Sequence, residues 1–79
     1  MQLYSRDEIT AMNQKIAETT KSVQELIKDI ATLNTELKTE DSEENKTNLE
    51  KTIMNKTLDK EAKTLEVQHL KKKISATNK

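Results

Sequence analysis

Not one glycine or proline interrupts the 79 residues of this chain. Glycine reaches left-handed backbone conformations without steric penalty, and proline pre-sets many tight turns. Without either residue, turns between strands lose their usual chemistry, and helix is the structure the backbone propagates furthest. Cysteine, tryptophan and phenylalanine are also missing, and Tyr4 is the single aromatic. Zinc ribbons, disulfide scaffolds and phosphate-cradling glycine loops are thereby excluded. The fold class that remains is all-α.

The first helix announces its start. Ser5-Arg6-Asp7-Glu8 matches a capping box, in which the Ser5 hydroxyl and the Glu8 carboxylate each satisfy the other's backbone amide. Tyr4 and Ile9 flank the box at hydrophobic-staple spacing, and Asp7 and Glu8 sit where the helix dipole favours anions. From there the apolar residues follow a heptad. Position a reads Ile9, Ile16, Val23, Ile30 and Leu37; position d reads Met12, Thr19, Leu26, Leu33 and Glu40. Branched residues at a with Leu at d suit a two-stranded parallel coil. Ile27 at position e widens the stripe, as in a hairpin or bundle. The flanking g and e positions offer little electrostatic zipper.

This pattern fails from Thr39 to Asn48, a stretch without an apolar anchor. Asp41 with Glu44, and Thr47 with Glu50, each match a new capping box. The reading is a two-helix antiparallel hairpin, coiled-coil-like, forming one domain over residues 1–79. Helix one is expected over about 6–39, a loop over about 40–47 and helix two over about 48–75, with residues 76–79 frayed. One continuous helix of some 70 residues is the alternative; it would be about 105 Å long, against about 50 Å for the hairpin.

Helix two carries two apolar faces. Leu49, Ile53, Val67, Leu70 and Ile74 cluster on one side, which is expected to meet the stripe of helix one in the hairpin seam. Met54, Leu58, Ala62 and Leu65 lie on the opposite side and are assigned to a partner. The seam register also places Lys56, Lys60 and Lys63 inward, so the middle of the helix is expected to rotate its contact or touch a second partner. Lys71, Lys72 and Lys73 are expected to face the carbonyl end of the helix dipole.

Charge sharpens the functional reading. Fourteen cations balance fourteen anions, so no global field draws in nucleic acid or membrane. The balance is uneven: residues 41–50 hold one cation and four anions, whereas residues 51–79 hold eight cations and three anions. The Lys71–Lys73 triplet is the candidate phosphate contact, but it has no neighbouring aromatic for base stacking and no arginine for base readout. Membrane binding is not expected, for want of bulky apolar residues and of any run approaching about 18 apolar residues. The N-terminus has no cationic start and no apolar stretch, so a cytoplasmic (or phage-host cytoplasmic) location is expected.

No catalytic, cofactor or metal site is expected. His69, the single histidine, has Leu65, Glu66, Lys72 and Lys73 as helical neighbours, short of the three or four ligands zinc needs. The carboxylates sit at charge-pair spacing on solvated faces, such as Glu25 with Asp29 and Glu36 with Glu40. Two Asn-Lys-Thr sequons, at Asn45 and Asn55, mark polar surface. Only sixteen residues are Leu, Ile or Val, a thin core for 79 residues, so folding is expected to lean on assembly. In size and helix–loop–helix layout the chain looks like small secretion co-chaperones, tail-assembly chaperones and phage inhibitors of host enzymes, a likeness of shape that carries no residue over. The expected function is a non-enzymatic protein-interaction module that binds itself or another protein and assembles into a helical bundle. The alternative is a nucleic-acid-associated accessory protein using the basic end of helix two.

Overall fold

The computed structural model describes residues 3–77, which form α1 (Arg6–Thr39) and α2 (Glu43–Thr77) with no strand among the described residues. The two helices run antiparallel and pack along their length as a rod 60 × 14 × 14 Å. Its radius of gyration is 17.7 Å. A globular domain of this length would have about 12 Å. The chain therefore has one long seam and no central core.

The α1 start follows the capping box. The Ser5 amide donates to Glu8 Oε1 at 2.9 Å, and the Glu8 amide donates to Ser5 Oγ at 3.1 Å. Tyr4 and Ile9 are both half-buried beside it. At the other end the backbone leaves the helix at Glu40, with φ −78° and ψ 128°. Reversal takes only residues 40–42. The start of α2 at Glu43 corrects the longer loop and the two cap sites read from the sequence. Ser42 caps the helix instead: its carbonyl accepts from the Lys46 amide at 2.9 Å and its hydroxyl from the Asn45 amide at 3.4 Å. Glu40 braces the turn, its carboxylate accepting from the Ser42 amide at 3.1 Å and from Asn45 Nδ2 at 3.4 Å. Thr47 is an interior residue whose hydroxyl donates to the Glu43 carbonyl at 3.0 Å. Glu43 and Glu44 occupy the first turn, where the dipole favours them.

Both helices present a strict heptad to the seam. On α1 the half-buried series runs Ile9, Met12, Ile16, Val23, Leu26, Ile30, Leu33, Leu37 and Glu40, with Thr19 buried among them. On α2 it runs Lys46, Leu49, Ile53, Lys56, Lys60, Lys63, Leu70 and Ile74, with Val67 and Thr77 buried, the whole set spaced alternately by three and four. The ion pairs Lys15–Glu66 (3.9 Å) and Lys56–Asp29 (3.3 Å) cross the hairpin and, with the heptad, mark its register. That register sets Thr19 level with Val67, two of the most buried residues at 5% and 8% exposure. It sets Val23, Leu26 and Ile30 level with Lys63, Lys60 and Lys56.

The three lysines therefore stay in the seam, so of the two outcomes expected for mid-helix, rotation of the contact does not occur. Their stems lie along the apolar surface while the ammonium groups reach its edges. Lys56 Nζ meets Asp29 at 3.3 Å across the hairpin, and Lys63 Nζ meets Asp59 at 2.7 Å one turn back. At the C-terminal end α2 continues to Thr77, so Ala76 and Thr77 are helical rather than frayed. Thr77 fills a seam position at 4% exposure, and its hydroxyl donates to the Lys73 carbonyl at 3.1 Å. The last turn thus holds no basic residue, and Lys71–Lys73 lie two residues further from the helix end than the sequence implied. The expected fraying of residues 78–79 lies outside the described residues.

Two outcomes follow from these contacts. Lys60→Leu replaces a half-buried ammonium stem with a full apolar knob opposite Leu26. It should raise stability by about 1 kcal/mol and the melting midpoint by about 4–8 °C, read from circular dichroism at several protein concentrations. Second, hydrogen bonds from the Ser5 amide and hydroxyl hold the Glu8 carboxyl below its ordinary value. Those from the Ser42 amide and Asn45 do the same for Glu40. A carboxyl whose folded pKa is lowered gives stability that is present above its unfolded pKa, near about 4.3, and lost as pH falls through the folded value. The melting midpoint should therefore drop on acidification below about pH 4, and Glu8→Gln with Glu40→Gln should flatten that drop.

Candidate functional site

A helix that packs on one neighbour needs one apolar face, and the seam residues Leu49, Ile53, Val67, Leu70 and Ile74 already form it on α2. They lie half-buried, with Val67 buried, against the series from Ile9 to Leu37 on α1. The remaining apolar residues of α2 point the other way. Met54 is 64% exposed, Leu58 58% and Leu65 56%, and Ala62 is exposed beside them. Spacings of four, four and three put all four side chains on one stripe of the outer surface.

This stripe spans residues 54–65, the same stretch that turns Lys56, Lys60 and Lys63 into the seam. In mid-helix, α2 is polar inside and apolar outside. Two shallow grooves border the stripe. One, of about 340 Å³, is lined by Asn34, Leu37, Glu50, Ile53, Met54, Thr57 and Leu58, and so bridges both helices. The other, of about 440 Å³, is lined by Lys60, Glu61, Thr64 and Leu65.

The α1 flank facing the first groove extends this surface. Thr10, Asn13, Ala17, Thr20, Gln24, Ile27, Ala31 and Asn34 lie on it, all exposed and all uncharged. Ile27 is 51% exposed there, so it widens the outer surface rather than the seam. The heptad placed it at e, and the uncharged run at e and b could have marked that flank from sequence. Leu3, 62% exposed, precedes the first helix and had no periodic signal. The opposite flank is charged: Lys15, Asp29, Asp59 and Glu66 lie there, pairing Lys15 with Glu66 and Asp29 with Lys56 across the hairpin and Asp59 with Lys63 along α2.

Charge is also segregated along α2. Glu43, Glu44 and Glu50 are exposed at its start; Lys71, Lys72 and Lys73 are exposed towards its end. None of those three lysines joins an ion pair among the described residues. His69 is exposed between them and the stripe. Among the described residues no group of three or more His, Cys, Asp or Glu is placed to hold a metal ion. No described helix is long and apolar enough to cross a membrane. Comparison with family models, curated proteins and solved structures finds no match to this chain.

Leu58→Asp with Leu65→Asp should leave the helical signal of the hairpin intact, because both side chains already face water. Val67→Asp with Leu70→Asp should abolish it, since a carboxylate would enter the only seam. Far-ultraviolet circular dichroism of the two double variants at equal concentration checks the difference. Equal loss of helicity in both would show that outer face and seam fold as one unit.

Proposed function

We propose that this chain is a non-enzymatic protein-interaction module that binds through the outer face of α2. Met54, Leu58, Ala62 and Leu65 supply the anchors, and the uncharged α1 flank around Ile27 supplies the margin. One observation carries the reading. Over residues 54–65 the helix turns lysines into its own seam and leaves its large apolar side chains in water. A sequence selected only for hairpin stability would place them the other way round, with Leu inward and Lys outward. Exposed apolar side chains grouped on one stripe are the usual mark of a protein contact. Helix packing into such a stripe needs anchors at spacings of three and four, which these residues have.

The functional class is assembly by helix packing, as for a small assembly factor, chaperone or inhibitor. Sedimentation equilibrium of the native chain at micromolar concentration, together with affinity capture by the immobilised chain, tests it. Association should be present with the native protein and lost with Leu58→Asp, Leu65→Asp. If every association survives that double substitution, the outer face is not the contact.

A further inference from the structure

We propose that the outer face of α2 is covered by a second copy of the chain, lying antiparallel with α2 against α2. This rests on the interaction reading above and names its partner. The apolar stripe from Met54 to Leu65 is centred near residue 60. Glu43, Glu44 and Glu50 lie about 15–25 Å to one side of that centre along the helix, and Lys71, Lys72 and Lys73 about 16–20 Å to the other. All six are exposed. Glu43 pairs with Lys46 at 3.4 Å and Lys51 shares that end, which keeps a net charge of −1 over residues 43–51. Lys71 lines a groove with Thr20 and Val23 of α1, so Lys72 and Lys73 carry most of the basic charge at the outer face. The helix thus carries an acidic end, an apolar middle and a basic end, with the two charged ends at similar distances from the middle.

A second copy turned end for end places each acidic end beside a basic one while the two apolar stripes meet. The arrangement is closed by a twofold axis, so both copies use the same surface and growth stops at the dimer. A parallel copy would bring acid against acid and lysine against lysine. The chain as a whole is neutral, so no net repulsion opposes the meeting of two copies. With α1 flanking each α2, the product is a four-helix bundle, in which α2 buries both of its faces.

Sedimentation equilibrium of the full chain decides the matter. The native protein should sediment at twice its 9.1 kDa mass. Its dimer dissociation constant should rise about tenfold between 50 mM and 500 mM salt, because the attraction between opposite ends is screened. The variant Lys71→Glu, Lys72→Glu, Lys73→Glu and the variant Glu43→Lys, Glu44→Lys, Glu50→Lys should each remain at 9.1 kDa alone and form a dimer when mixed. Circular dichroism checks that each is still helical, and the salt titration needs no variant. A dimer tightened by salt would have like ends together and would overturn the arrangement; so would a dimer indifferent to both charge variants. A chain that stays at 9.1 kDa throughout, yet binds another protein through Leu58 and Leu65, ends the second-copy proposal and leaves the interaction reading standing.

Discussion

The seam between α1 and α2 is unequal, and the rest of the molecule depends on that inequality. One side is an unbroken aliphatic stripe relieved only by Thr19; the other has lysine at three consecutive heptad positions, Lys56, Lys60 and Lys63. An ammonium group cannot be taken out of water without a partner at tolerable cost. The stems therefore cover Ile30, Leu26 and Val23 while the charged ends leave by the flanks, where Asp29 receives Lys56 and Asp59 receives Lys63. Such partly exposed pairs contribute at most about 1 kcal/mol each. Their value lies in direction: they hold the stems along the seam.

Apolar packing is accordingly concentrated towards the two ends of the rod. Near the turn, Leu33 and Leu37 lie level with Ile53 and Leu49; at the open end, Met12 and Ile16 lie level with Ile74 and Leu70. The turn end is also braced by Glu40 and capped by Ser42, which lets three residues reverse the chain without a glycine. Threonine fits this economy of packing. Its hydroxyl returns to the backbone one turn earlier, as Thr57 does to Ile53 at 2.8 Å, so a polar side chain can sit beside the seam with its donor satisfied.

Much of this was legible in the residues. The capping box at Ser5, the heptad from Ile9 to Leu37 and the pattern break after Thr39 led directly to an all-α hairpin. Less legible was anything decided by competition between a weak local signal and tertiary packing. Asp41 and Thr47 looked like caps and Ser42 was not singled out, because cap propensity depends on residue type while the actual cap depends on where the reversal lets the first turn close. The seam lysines pointed to a rotated contact or a second partner because residue type alone treats lysine as a charge, whereas its four-carbon stem packs like an aliphatic when the flank offers an exit. The helix end moved for a related reason: Thr77 is polar by type but completes the heptad after Ile74. For the outer stripe, angular position was readable and its exposure followed, but nothing in a helical period says what covers such a face.

Inversion of polarity over residues 54–65 couples the two sides of α2 physically. The side chains that would meet a partner and those that face α1 alternate along the same three turns of helix, so fixing one set limits the freedom of the other. A partner that binds only the folded hairpin adds stability by mass action. It adds it where the seam is weakest, because its anchors stand directly behind Lys56, Lys60 and Lys63. Binding at the outer face and consolidation of the lysine layers are in this sense one process: the segment that gives the hairpin least by itself is the segment that gains most from contact.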